Sequence, residues 1–454
     1  MVDDVKGRDG MGYASYIETA IAVGCVVAIA LPGHTAAAPP DRDSVLHGLG
    51  LESSGTPPPA GLTPEIEKLW RGVQPTPSGD PFLDTWPAAS THRAAGEVIG
   101  RRDLTTATAM QLPIPIREAV QVRYATRDSA GAPSFTTATL LKPVDDWRGA
   151  GDRPVLVHAL PINSLGLRCA PGYRTAHGGG GEMAGFNWIP PVTVKALARG
   201  FAVLVPDHEG PRMAYAEPRV TGQALLDGIR AARSAFGSEF DDSRYALFGY
   251  SGGGLAAYSA AMLLEEYAPE LRSVIEGAAL GGIMTDLRRV AELFDGRVQS
   301  GILMAVVLAF AREHPEILTA MNDLAKFGAT SPLKDVCGTE EALLGAVGIP
   351  LELASKYEKP LDSALADKIF RATDLRGRKS AFPLYIFHAK NDQWVPASGA
   401  TDLYAEQCAL GVSATVQISP GEHITGSLTT FLGAMGWLDE RLQGVPAPNG
   451  CPRR

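Results

Sequence analysis

Basic residues are the minority charge in this chain. Lys and Arg number 41 against 50 Asp and Glu, a formal net charge of -9. No long basic run is present, so a nucleic-acid partner is not expected. No His, Cys, Asp and Glu spacing of metal-ligand type and no phosphate-cradling glycine loop appears, so no metal and no cofactor is expected. Fifty glycines and 34 prolines imply many turns, yet they form no collagen-like period, low-complexity tract or internal repeat. Beyond the N-terminal segment no apolar run is long enough to span a membrane; Gly301 to Ala311 is too short.

Cysteine is scarce as well, with five in the chain. Cys25 lies in the N-terminal apolar run. The other four, Cys169, Cys337, Cys408 and Cys451, are even in number, which in an exported protein fits two disulfides with three connectivities open. The alternative is four buried free thiols. Export is expected from the first residues. Lys6 and Arg8 precede the apolar run Ala20 to Leu31, and Thr35-Ala36-Ala37-Ala38 and Pro39-Pro40 follow. This is the charged, apolar, small-residue order of a secretory signal peptide, with cleavage expected near Ala37 or Ala38. An uncleaved anchor is the alternative, for which the run is short. A start at Met11 would remove both basic residues. The expected location is outside the cell or in the cell envelope.

The 454 residues, 45% hydrophobic, suffice for one large domain with an insertion, or for two. Residues 1–38 read as signal peptide and 39–100 as a linker and irregular arm, rich in Pro, Gly, Ser and Thr. Ala119 to Ala125 and Ser134 to Pro143 read as an antiparallel hairpin. Short apolar runs at Pro154 to Ala159, Phe201 to Pro206, Tyr245 to Phe248 and Val274 to Leu280 alternate with helical stretches at Val192 to Arg199 and Thr221 to Phe236. That alternation implies a mostly parallel sheet with helices on both faces. It gives a first core segment, 101–281. Strand signals then vanish over 282–373, where helices are expected at Leu287 to Phe294, Ile302 to Glu313, Glu316 to Phe327, Glu340 to Val347 and Leu361 to Ile369. This reads as an inserted helical cap. The core resumes over 374–454, with strands at Pro383 to His388 and Ala414 to Ile418 and a last helix from Gly426 to Leu442.

Within this frame Gly249-Tyr250-Ser251-Gly252-Gly253 follows a buried strand and opens a helix. Strand, Gly-x-Ser-x-Gly and helix is the context of a nucleophile elbow. The turn is tight enough that side chains beside the serine would collide, hence Gly249 and Gly253. Ser251 would stand at the sheet end, and the Gly252 amide could face an oxyanion with help from the helix dipole. Taken alone the pattern is common and most matches are plain turns.

A nucleophilic serine needs a base and an acid that orients it. Only His314, His388 and His423 follow Ser251. His314 lies in the expected cap, and His388 ends an apolar strand as a core histidine would. His423 sits in Ser419-Pro-Gly-Glu-His-Ile-Thr-Gly426, read as a loop before the last helix, and is the expected base. Asp392, just past a strand end, is the expected acid; its alternative is an ordinary turn aspartate. Asp402 and Glu422 are weaker choices. The order Ser251, Asp392, His423 is that of α/β-hydrolases. Asn163, in the loop after the Pro154 to Ala159 strand, is the expected second oxyanion donor. Asp207-His208-Glu209 reads as a structural network and not as a metal site.

Several stretches resemble the secretory lipases of yeasts and actinobacteria. They are Cys169-Ala-Pro-Gly-Tyr173, Asp207-His-Glu-Gly210, Leu226-Asp-Gly-Ile-Arg230, Gly249-Tyr-Ser-Gly-Gly253, Tyr267-Ala-Pro-Glu-Leu271, the Asp392 loop and Glu422-His423, spread over about residues 80 to 451. The resemblance implies an α/β-hydrolase fold with a helical cap, action on acylglycerols and simpler esters, and Ser251, Asp392 and His423 as nucleophile, acid and base. It also implies disulfides Cys169–Cys337 and Cys408–Cys451. The family commonly has aspartate where this chain has Asn163, and a counterpart of the C-terminal flap seen in a yeast member is not expected here. The expected function is that of a secreted serine esterase or triacylglycerol lipase, with an acyl ester or lipid as substrate and transient contact with a lipid surface. An acyltransferase or serine peptidase on the same scaffold, or a non-catalytic envelope protein, are the rival readings.

Overall fold

The computed structural model describes residues 56–87, 93–178, 191–338 and 345–452, all in one unit, Leu51–Arg454. The expected signal peptide and most of the helix expected over 340–347 lie outside these residues. Nine strands form a single sheet in the order β1-β2-β3-β5-β4-β6-β7-β8-β9. They are β1 Val98–Asp103, β2 Ile116–Arg127, β3 Pro133–Pro143, β4 Val155–Ala159, β5 Ala202–Pro206, β6 Tyr245–Tyr250, β7 Ile275–Gly281, β8 Leu384–Ala389 and β9 Ala414–Ser419. The first three strands and the β3–β5 pair are antiparallel, and the others are parallel.

Helices cover both faces because the strands alternate. Val155 and Val157 of β4 pack toward Leu225, Ile229 and Leu263, whereas Leu156 packs toward Val192, Leu197 and Leu438. The first set belongs to α3 Pro218–Ala235 and α4 Gly252–Tyr267, the second to α2 Pro191–Ala198 and α11 His423–Leu442. α10 Ser398–Ala409 joins the α3 side through Ala400 and Leu403.

Two regions differ from the sequence expectation. The arm expected to be irregular contains α1 Pro64–Val73, capped by Thr63 and started by Pro64. Trp70 and Val73 of α1 are fully buried, and the Trp70 indole N–H donates to the Arg312 carbonyl at 2.9 Å. Between β7 and β8 lie α5 Leu287–Phe294, α6 Ser300–Glu313, α7 Ile317–Ala320, α8 Asp323–Ala329 and α9 Ala364–Thr373. The single helix expected over 316–327 is split. Asn322 caps α8 by accepting from Ala325 N, and Met321 bridges to Ser355.

Arg312, near the end of α6, is fully buried. Its guanidinium donates to the carbonyls of Val73, Leu165, Arg212 and Lys334 at 2.7–2.9 Å. One side chain thus joins α1, the loop after β4, the loop after β5 and the segment between β7 and β8. Two disulfides add to this. Cys169 pairs with Cys337 and Cys408 with Cys451. The first links the loop after β4 to the segment between β7 and β8, beside a backbone bridge between Ser164 and Cys337.

Candidate active site

β6 ends at Tyr250, and the chain turns so tightly into α4 that Ser251 takes φ 55° and ψ -124°. A non-glycine residue there is strained, and strain of this kind concentrates at functional sites. The turn closes only with glycines on either side. A Cβ on Gly249 would lie 2.0 Å from the Gly253 carbonyl oxygen, and one on Gly253 would lie 2.0 Å from that of Ala159. Backbone bonds brace the corner, since Ser251 N donates to Gly281 O at 2.9 Å and Leu255 N to Ser251 O at 3.0 Å.

Ser251 Oγ is 3.0 Å from His423 Nε2, and His423 Nδ1 is 2.6 Å from Asp392 Oδ2. An ionised carboxylate only accepts, so Nδ1 carries the hydrogen and Nε2 accepts from the serine hydroxyl. Asp392 lies in the β8–α10 loop with its side chain fully buried. Burial by itself would raise its pKa. Hydrogen bonds from His388 and His423, the charge on His423 and the Val395 amide outweigh it and hold the carboxyl well below the usual range. The other oxygen, Oδ1, accepts from Trp394 N at 2.9 Å and Val395 N at 2.8 Å.

His423 is the first residue of α11, and not a loop residue as its sequence surroundings suggest. Glu422 is the N-cap, accepting from Ile424 N and Thr425 N while its own amide donates to Thr425 Oγ1. Glu422 is therefore occupied with ending a loop. The Tyr250 hydroxyl donates to the His423 carbonyl at 2.6 Å, and the two rings stand 5.1 Å apart.

Gly252 opens α4, where an amide has no partner within the helix. Asn163 lies against it, for a Cβ on Gly252 would stand 2.7 Å from Asn163 Oδ1 and 2.4 Å from Ile162 O. Asn163 Oδ1 is buried without a hydrogen-bond partner among the described residues. The remaining candidates sit elsewhere. His314 faces Glu217 at 3.5 Å, and Asp402 is exposed beside Arg289. Asp207 accepts from Gly172 N at 2.6 Å and bonds the Thr137 hydroxyl. Sequence reasoning passed over Tyr250 beside the relay and the linking role of Arg312, and it read His388, the other neighbour, as a core histidine. Tyr250 could have been read from its place beside the serine; nothing in the sequence marks Arg312.

Ser251 and Gly252 open onto a cavity of about 490 Å³, within the range of ligand pockets. Leu255, Met284, Phe294, Ile302, Leu303 and Met304 are among its apolar lining. Among the described residues no group of three or more metal-ligating side chains occurs, and no helix is long and apolar enough to cross a membrane.

The sequence pattern of the family described as "Secretory lipase" matches residues 191–450. The chain belongs to the secretory lipase family. Among its relatives, Lipase 10 of Candida albicans is 30% identical over 404 residues, 84% of each chain. A Mycobacterium tuberculosis protein named "Probable inactive lipase MT1628" is 30% identical over 408 residues, 87% of this chain and 88% of its own. The crystal structure of Candida antarctica lipase A superposes with a TM-score of 0.71 at 25% identity, over 82% of this chain and 87% of that one. The fold is that of lipase and esterase α/β-hydrolases, and this secretory lipase is an ester hydrolase of the triacylglycerol-lipase kind.

Proposed function

We propose that this secretory lipase is exported and cleaves acylglycerols and simpler acyl esters through an acyl-enzyme, with Ser251 as nucleophile, His423 as base and Asp392 as the acid that orients it. One observation carries the reading: the unbroken relay from Ser251 Oγ through both His423 nitrogens to Asp392, at the mouth of an apolar cavity. His423 takes the serine proton as Oγ attacks the ester carbonyl. The negative oxygen that forms is met by the Gly252 amide and a donor of the Asn163 loop, each worth roughly 3 kcal/mol. His423 then returns the proton to the leaving alcohol, and water repeats the cycle on the acyl-enzyme. Residues 282–373 act as the cap that holds the acyl chain. Leu324, Leu333, Ile349 and Tyr357 both line the cavity and stand exposed, so an acyl chain can pass from a lipid surface to Ser251 over apolar side chains. Export is supported by the family and by the order of charged, apolar and small residues before Pro39. The intact relay speaks against the silent fold that the Mycobacterium relative's name describes.

A chain-length series of p-nitrophenyl esters and triacylglycerols, with wild type and Ser251→Ala, tests the proposal. Hydrolysis is expected in the wild type and a loss of at least about 1000-fold in kcat for the variant. An unchanged rate in Ser251→Ala removes the serine from the mechanism. Turnover only with an acyl acceptor other than water makes the protein a transferase.

A further inference from the structure

His388 is a core histidine beside the loop that carries Asp392. It is fully buried near the end of β8, where a packing role would require only that its ring fill space. Its contacts are more specific. Nε2 lies 2.8 Å from Val395 O and 3.3 Å from Asp392 Oδ2. A carbonyl oxygen cannot donate, so Nε2 carries the hydrogen and the ring is the Nε2–H tautomer. The same N–H therefore faces both the carbonyl that closes the acid loop and the oxygen that receives His423. We infer that His388 is a positioning residue for the reaction, sharing its Nε2–H between Val395 O and Asp392 Oδ2. It fixes the carboxylate that orients His423. The inference rests on Asp392 being the acid of the relay.

The physical consequence concerns proton affinity. Oδ2 takes the His423 hydrogen bond at 2.6 Å and has His388 Nε2 3.3 Å away, while Oδ1 is held by two amides. Each donor to the charged carboxylate lowers its basicity. With the His388 donor gone, Asp392 attracts the proton on His423 more strongly, and the coupled His423–Asp392 pair takes up a proton at higher pH. The titratable groups facing this pair are His388 from β8, Tyr250 from β6 and Glu422 at the cap of α11. None of these changes when His388 is replaced, except His388 itself.

The test uses the full chain with His388→Leu, His388→Asn and His388→Gln. Leucine has no donor, and the asparagine amide is too short to reach where Nε2 stands. The glutamine amide nitrogen reaches it. His388→Leu and His388→Asn are expected to lose about 10-fold in kcat with little change in KM, and to move the acidic limb of kcat/KM upward by about half a pH unit. His388→Gln is expected to keep the limb in place and to restore most of kcat. A limb that stays put or moves down in the leucine and asparagine variants overturns the inference, as does a glutamine variant that behaves like leucine. Should leucine and asparagine fail to fold, ¹⁵N-histidine spectra of the wild type decide. The resonance lost in His388→Gln must show the Nε2–H tautomer, and an Nδ1–H pattern overturns the inference. Asp392→Asn separates the two layers. Full activity in that variant ends both the relay and the role of His388, whereas an inactive Asp392→Asn with an unmoved limb in the His388 variants ends only the second.

Discussion

Gly252 and Asn163 are packed so closely that a single added methyl on Gly252 would stand 2.7 Å from Asn163 Oδ1 and 2.4 Å from Ile162 O. Gly252→Ala is therefore expected to push the loop after β4 away from the serine. If both sides supply oxyanion donors, kcat falls by about 100-fold or more while KM changes little. Steady-state kinetics on a soluble ester checks this. A variant with wild-type kcat would separate the Asn163 loop from the reaction.

Arg312 supplies donors to carbonyls from four separate segments. Arg312→Ala leaves these buried acceptors unpaired and is expected to lower the unfolding free energy by about 3–5 kcal/mol. Arg312→Lys keeps the charge with fewer, differently aimed donors and recovers only part of the loss. Urea unfolding of the three proteins gives the order wild type, lysine, alanine. An alanine variant as stable as wild type would contradict the linking role.

Burial pushes the Asp207 carboxyl up to about 6, against hydrogen bonds from Thr137 and Gly172 that pull it down. A folded-state pKa above the unfolded value means the native state holds the extra proton between about pH 4 and pH 6. Stability therefore falls as pH rises through that window, and the full cost is present at pH 7. Asp207→Asn can still accept from Gly172 and bond Thr137. It is expected to flatten the slope over this window and to stabilise the protein at pH 7 by roughly 1–3 kcal/mol. Asp392 has the opposite sign. Its carboxyl is held low, so its contribution is present at neutral pH and is lost only as the solution becomes strongly acid. Denaturant melts from pH 4 to pH 8 check the Asp207 difference. An asparagine variant that runs parallel to wild type rules it out.

The two disulfides close intervals of very different length, 168 residues for Cys169–Cys337 and 43 for Cys408–Cys451. Removing each pair as a double serine variant is expected to cost about 2–5 kcal/mol, with the longer closure worth about 1 kcal/mol more. The longer one should also lower kcat, because Ser164, bridged to Cys337, is next to Asn163. Chemical denaturation and kinetics on both variants test the order.

Most of the parallel strands are readable in the sequence as short apolar runs between turn residues, as in Val155–Ala159 and Leu384–Ala389, and β9 Ala414–Ser419 as an alternation. That Ser251, Asp392 and His423 come together is readable because their order and their places after strands constrain them. Other features hide behind composition or distance. α1 carries its own start signal, Thr63 followed by Pro64 and Glu67, but the prolines and glycines around it suggest a coil. His423 looks like a loop residue because Glu422 is an uncommon cap. The partners of Arg312 lie 22 to 239 residues away, and no local pattern can reveal such contacts. His388 reads as a strand end, and only the return of the chain at Val395 shows what its ring faces.

Arg312 and Cys337 both lie between β7 and β8, yet both hold the loop that carries Asn163. The segment between those strands is thus not an exchangeable cassette. A chimera that takes it from a relative to alter ester preference must also bring a matched arginine, cysteine and receiving loop. Without them, the graft would change which acyl chain is admitted and unsettle the chemistry it was meant to leave alone.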